Sequence, residues 1–152
     1  MKDGLKSGLK RLERLVEIRQ TYVSVAEAGV KTAEGEVRKL EAADSAVAGN
    51  IQDTRAEIAY RHTATGHDLQ SGEKYIAALQ TQREIIQQSL EKANSSLEQR
   101  RREWTEAMRE QKLIEKMQER RSDQYEHAGD VEAQKQQDDA SIGRYVRTRQ
   151  KR

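Results

Sequence analysis

The sequence predicts an all-α fold, a long antiparallel hairpin of two helices that pack as a soluble coiled coil, followed by a flexible or partly helical tail. Three observations predict it. The 152 residues include no Pro, a residue that costs about 3 kcal/mol inside a helix but is common in loops. Only 34% of the residues are hydrophobic and 36% are charged, which is too little apolar material for a globular core. Apolar residues also recur with the seven-residue period of a coiled coil.

The first helix is predicted from this repeat. Alternate steps of four and three residues from Leu5 to Ile58 land on apolar residues at thirteen of sixteen positions. We call these repeat positions, on either helix, the seam. A surface helix that packs on a globular core drifts away from such a strict repeat, whereas a coiled coil keeps it. We therefore predict a helix from about residue 4 to about residue 60.

A turn and a second helix follow. Residues 61–68 contain no seam residue, and Gly66 offers a left-handed position at which the chain can reverse. The repeat resumes at Leu69, so the second helix is predicted to begin at about residue 68. The hairpin then occupies residues 1–128.

Pairing of the two helices can also be predicted. If facing residues have numbers that sum to 130, the small Ala26 lies opposite the large Trp104, which keeps the volume of that layer constant. Asp44 then lies one layer from Arg83. We predict an ion pair between these two seam residues, which would fix the register of the helices.

The C-terminal residues 129–152 form a polar and basic extension, which we interpret as either a frayed helix or a disordered segment. The stretch from Arg144 to Arg152 carries five positive charges and no negative charge. Nucleic acid or anionic lipid attracts such tails, but short basic tails are common.

Motifs for catalysis, metal or cofactors are weak. Residues 29–32, Gly-Val-Lys-Thr, end like a phosphate-binding loop but lack the Gly directly before Lys, the second Gly upstream and the preceding strand. His62, His67 and Asp68 fall in the turn, where a plain polar turn is the better interpretation than a metal site. Carboxylates on a two-helix fold have no pocket that could raise their pKa. We expect no enzyme activity, no cofactor, no metal and no small-molecule substrate.

Charge and cysteine content suggest the compartment. Because 28 basic residues nearly balance 26 acidic ones, the chain as a whole is not a polycation built for nucleic acid. The absence of Cys suits a reducing compartment. The N-terminus has no apolar signal region, and no run approaches membrane-spanning length. We expect a cytoplasmic protein.

Two surface features are candidates for protein contacts. Leu15, Ile18, Tyr22 and Val25 form a second apolar stripe, which a two-stranded coil cannot bury. Either the C-terminal segment folds back over it, through Val131 or Ile142, or another protein docks there. The second feature is a basic band on the second helix, which is either a solvated face paired with Glu or a contact for an acidic protein; it contains Arg100, Arg101, Arg102, Arg109, Lys112, Lys116, Arg120 and Arg121.

The order of features resembles the FliJ family of flagellar export proteins. A basic start is followed by the run from Arg11 to Leu15 and by Arg19, and the second helix opens with Leu69 and the run from Tyr75 to Leu79. The most specific part is a basic cluster, an aromatic residue, Ala, Lys and a Glu-Lys pair; these are Arg102, Glu103, Trp104, Ala107, Lys112, Glu115, Lys116 and Arg120.

The resemblance implies a stalk at the cytoplasmic face of the inner membrane. Its implied partners are the hexameric flagellar export ATPase, the cytoplasmic domain of the export gate and the export chaperones. Tyr75 and Leu79 are the implied contacts to the gate. For the ATPase the implied contacts are Leu12, Leu15, Ile18, Arg19, Tyr22, Arg100, Arg101, Arg109 and Lys112. Alternatives are the stalk of a virulence injectisome, a nucleic-acid-binding coiled coil and a structural spacer.

Overall fold

Two helices account for nearly all of the chain that the computed structural model describes, residues 2–61 and 65–151. The first helix, α1, is Lys2–Tyr60, and the second, α2, is Gly66–Gln150. They pack against each other as a hairpin, and no strand is present in these two ranges. The predicted all-α, two-helix fold is thus confirmed. Neither helix contains a stretch long and apolar enough to cross a membrane.

The chain divides into two compact units, each of which contains part of both helices. The terminal unit is Met1–Ser24 with Glu106–Arg152, and the central unit is Val25–Thr105. The buried residues are unevenly divided between the units, because Leu12 is the only one among the described residues of the terminal unit. The central unit therefore contains most of the packed core.

The core of the central unit consists of two clusters of seam residues. One contains the buried Val30, Val37 and Leu97, and the other contains Val47, Ile51 and Leu79, each with 6–7% of its surface exposed. Half-buried residues pack around these clusters; they are Ala33, Leu90, Ala93 and Trp104 in the first and Ile76 and Ile86 in the second. Burying a Val, Leu or Ile side chain stabilises a fold by about 1.5–3 kcal/mol, so these layers hold the two helices together.

Polar contacts in the central unit show how the helices are aligned. Arg83 Nε donates a hydrogen bond of 3.1 Å to Asp44 Oδ1, so the predicted ion pair is confirmed. Arg101 Nη2 lies 3.5 Å from Glu34 Oε1. From the first pair to the second, the residue number falls along α1 and rises along α2. In each pair the two residue numbers add to a value close to the predicted 130. Trp104 packs against the first cluster, while its pairing with Ala26 stays a prediction.

The start of α2 is fixed by a reciprocal cap. The Thr65 backbone N–H donates to Asp68 Oδ2, and the Asp68 backbone N–H donates to Thr65 Oγ1, both at 3.2 Å. This is a capping box, which satisfies N–H groups that have no partner within the helix. The left-handed position predicted at Gly66 is wrong: no Gly in the described ranges has a positive φ, and Gly66 begins the helix that Thr65 caps.

The second helix does not end at Gly129. It continues to Gln150, so of the two possibilities for the extension, a helix or a disordered segment, the structure shows a helix. Gly129 has no positive φ, and the chain offers no Pro that would stop the helix. From Asp130 to Gln150 every residue except Gly143 is exposed. That residues 129–152 act as a region separate from the hairpin stays a prediction.

Candidate protein interface

An apolar surface lies on α1 within the terminal unit. Leu15, Ile18 and Tyr22, which we call the apolar face, follow the three- and four-residue spacing that brings side chains to one side of a helix. Their side chains are 40%, 49% and 56% exposed. Val25, at 66% exposure, belongs to the central unit. Three large apolar side chains exposed on successive turns indicate a docking surface.

The alternative, in which the C-terminal segment folds back over this stripe, is wrong. The segment that would fold back is part of the continuous helix α2, so it has no turn that could reverse its direction. Val131 and Ile142, the two residues expected to cover the stripe, are themselves 39% and 61% exposed. Within the described chain the apolar face therefore stays uncovered.

Arg19 links this face to α2. Its guanidinium forms a salt bridge with the carboxylate of Glu110 and lies 5.8 Å from the centre of the Tyr22 ring. A guanidinium at that distance is attracted to the face of an aromatic ring. The ion pair thus holds Arg19 where it can position Tyr22, and part of the charge of Arg19 is already neutralised within the chain.

The second helix adds two exposed apolar residues to the terminal unit, Leu113 at 57% and Met117 at 49% exposure. The sequence analysis assigned no contact to either residue. The signal was their spacing of four, which places them on one side of α2. Of the neighbouring basic residues, Lys112 is exposed, and Arg109 lies 3.7 Å from Glu106 of its own helix.

Two residues implied as partner contacts are covered by the fold. Leu12 is 8% exposed and Leu79 is 7% exposed, and Leu79 packs in a core cluster with Val47 and Ile51. Both are seam residues, which explains why they are buried. In this structure neither side chain is available to a partner, so we assign them to packing and leave them out of the interface. Tyr75, the other residue implied for the gate, is 53% exposed.

The arginine cluster of the central unit is partly used in internal ion pairs. Arg100 Nη1 lies 3.4 Å from Glu103 Oε2, and Arg101 pairs with Glu34 across the two helices. Arg102 is exposed. Because two of the three arginines pair with Glu, the arrangement fits a solvated face. Exposed ion pairs of this kind contribute only about 0–1 kcal/mol each to stability. The cluster is therefore a weaker candidate for partner contact than the apolar face.

The polar turn was the one candidate metal site. His62 lies outside the described residues. His67 is exposed, and Asp68 uses its carboxylate as a helix cap. Across residues 2–61 and 65–151 there is no group of three or more His, Cys, Asp or Glu residues that could hold a metal ion.

Comparison with known proteins gives one finding. No curated protein and no solved structure matches the chain. The family model described as "Flagellar FliJ protein" matches residues 9–150, which include both helices and both units almost entirely. The resemblance seen in the sequence is confirmed, and the chain belongs to the flagellar FliJ protein family.

Proposed function

We propose that this chain is a non-enzymatic stalk of the flagellar type III export apparatus, an antiparallel two-stranded coiled coil that binds the ring of the export ATPase. The observation that carries the proposal is the exposed apolar surface of the terminal unit. Large apolar side chains that are exposed together on one side of a helix form the kind of surface that a protein partner covers. Membership of the FliJ family supports the choice of partner.

The apolar residues of both helices belong to one surface in this proposal. Leu15, Ile18 and Tyr22 each come directly before a seam residue of α1. Leu113 and Met117 each come directly before a seam residue of α2. In an antiparallel coiled coil the positions that precede the seam on the two helices lie on the same side. The five side chains then form one patch, and the exposed Lys112 lies at its edge.

The roles of the charged residues follow from their partners. Because Arg19 is paired with Glu110, we assign it the positioning of Tyr22 rather than a direct charge contact. Lys112, which is exposed, is the basic residue best placed to meet acidic groups of the ATPase, and Arg109, which pairs with Glu106, is the second candidate. Tyr75, exposed in the central unit, is kept as the contact for the cytoplasmic domain of the export gate. Export chaperones remain further partners, and the proposed location is the cytoplasmic face of the inner membrane.

The test is stimulation of the cognate export ATPase. In the variant with Leu15→Ser, Ile18→Ser and Tyr22→Ser, we expect stimulation to be lost while circular dichroism shows the same helix content, because exposed side chains contribute little to folding. The matched control replaces exposed apolar residues of the central unit, Tyr60→Ser and Ile85→Ser, which are 80% and 60% exposed. Full stimulation by the triple variant would refute the assignment.

A second variant tests the contribution of α2. Leu113→Ser with Met117→Ser should weaken binding of the ATPase if the two helices share one patch. If this variant binds as tightly as the wild type while the α1 variant does not, the interface is confined to α1.

A further inference from the structure

The last part of α2 has no helix to pair with, and its seam passes three charged positions beyond Ala128 before it returns to apolar residues. Continued from Tyr125 and Ala128, the seam reaches Ile142 and Val146, whose side chains are 61% and 47% exposed. The first residue of α1, Lys2, forms a salt bridge with Glu132. Beyond that point nearly every residue of α2 is exposed, so this seam lacks the cover that α1 gives elsewhere.

Charge is distributed in two halves along this segment. Residues 137–139 contain two acidic residues and no basic one, whereas residues 144–151 contain four basic residues and no acidic one. The two halves are separated by a short stretch that includes Ile142. A helix with one acidic and one basic half complements a copy of itself that runs in the opposite direction. A copy running in the same direction would place like charges side by side.

We propose that residues 137–151 bind the same residues of a second copy of this chain as an antiparallel helix pair. Antiparallel packing places alternate seam positions opposite each other, and of the registers this allows we choose the one that brings the two apolar residues together. With the pair centred on residue 144, Ile142 packs against Val146 of the second copy. Asp139 then faces Arg149 of the second copy, and each contact occurs twice by symmetry. The apolar layers supply cohesion and the flanking ion pairs set the direction.

The same residues have a second possible use, since a helix with apolar and basic side chains can also lie on an anionic membrane. The acidic half argues against this use, because Asp138 and Asp139 would be repelled by the lipid headgroups. The proposal does not depend on the export ATPase. It concerns a segment that lies apart from the residues of the proposed ATPase interface.

The direction of the pair can be tested with engineered cysteines, because the chain contains no Cys. The full-length variants Asp139→Cys and Arg149→Cys are mixed and oxidised. An antiparallel pair gives the mixed disulfide, because the two substituted positions face each other within disulfide reach. It gives little disulfide with Asp139→Cys alone, since those positions lie ten residues, or ~15 Å, apart along the pair. A disulfide formed mainly by Asp139→Cys alone would overturn the proposal in favour of a parallel pair.

Association itself is measured by sedimentation of the full chain over a range of concentrations. We expect the chain to shift from monomer to dimer as its concentration rises. Added salt should lower the affinity of the dimer, because salt screens the ion pairs. Asp139→Arg should raise the dissociation constant about tenfold, the factor that corresponds to 1.4 kcal/mol. The combined variant Asp139→Arg with Arg149→Asp restores the complementary charges and should restore the dimer. A monomer at every concentration, or binding to vesicles of anionic phospholipid without self-association, would overturn the proposal.

Discussion

The contact between Asp44 and Arg83 shows what a single pair of residues contributes to this fold. Both residues interrupt the apolar seam, and each would be poorly placed there alone. Their side chains are 21% and 40% exposed, and the bond between them is 3.1 Å long. The pair was predictable because a seam that is otherwise apolar tolerates a charged residue best when an opposite charge lies in a neighbouring layer.

A double-mutant cycle tests the energy of this pair. We expect Asp44→Ala and Arg83→Ala to be non-additive by about 0.5–1 kcal/mol in the free energy of unfolding, the upper range for partly exposed pairs. Urea unfolding followed by circular dichroism gives the four values. Glu36 with Lys39, an exposed pair on one turn of α1 at 3.7 Å, is the control, and its coupling should be smaller. Strict additivity at Asp44 and Arg83 would contradict the contact.

The cap at the start of α2 makes a prediction about pH. The hydrogen bond from the Thr65 backbone amide lowers the pKa of the Asp68 carboxyl below its usual value of 3.8, and the Thr65 side chain and Arg61 act in the same direction. Because the pKa is lower in the folded state, the ionised carboxylate stabilises the helix start above the unfolded pKa. This contribution is lost as the pH falls through the folded pKa.

Thr65→Ala removes the hydroxyl that accepts the Asp68 N–H. We expect the pKa of Asp68 to move back toward its usual value and the first turn of α2 to fray. Carboxyl chemical shifts followed by NMR between pH 2 and pH 6 measure both effects. Thr81→Ala is a suitable control, since Thr81 bonds only to the Ala77 carbonyl of its own helix. An unchanged Asp68 titration in Thr65→Ala would show that the hydroxyl has no part in the cap.

At the scale of the helical element, the seam predicts which residues of α2 are buried. It places Leu79 and Leu97 at the interface, and both are buried. The family resemblance, by contrast, suggested Leu79 as a partner contact and Leu12 as another, although both lie on the seam. The repeat accounts for their burial because burial depends on position around the helix, whereas a resemblance between two coiled coils does not separate packing residues from contact residues.

The ends of the elements were less predictable than their faces. The beginning of α2 at Gly66 depends on the Thr65 cap, whose two hydrogen bonds join groups three residues apart. The helix continues past Gly129 because neither a left-handed Gly nor a Pro ends it there. No apolar pattern in the sequence predicted this continuation. The apolar face was predictable from spacing alone. Leu113 and Met117 were not assigned, because their meaning depends on how the two helices face each other.

Truncation of a seam residue gives the prediction at this scale. Leu97→Ala should lower the free energy of unfolding by about 2–4 kcal/mol, because it removes a buried side chain from the cluster with Val30 and Val37. Ile85→Ala, on the same helix but 60% exposed, should cost less than about 1 kcal/mol. Chemical denaturation of both variants measures the difference. Equal losses in the free energy of unfolding would mean that the seam residues of α2 do not form its packing contact with α1.

At the scale of the whole molecule, stability is expected to differ between the two units. Six of the seven buried apolar residues among the described positions belong to the central unit. Amide hydrogen exchange follows local opening, which is easier where few apolar side chains are buried. We expect slower exchange in the central unit than in the terminal unit, as measured by mass spectrometry of peptides from each. Equal protection in the two units would contradict this division of the core.

The Asp44–Arg83 pair also affects whether the two helices pair in the correct register while the hairpin folds. A seven-residue repeat looks much the same after a displacement of one heptad, so many apolar layers would tolerate a shifted partner. In the central unit such a shift brings Ile76 or Leu90 to the place of Arg83, and the Asp44 carboxylate then faces a hydrocarbon side chain. A shifted pairing of the two helices therefore leaves the Asp44 charge without a partner. It is less stable than the native pairing, in which Arg83 neutralises that charge.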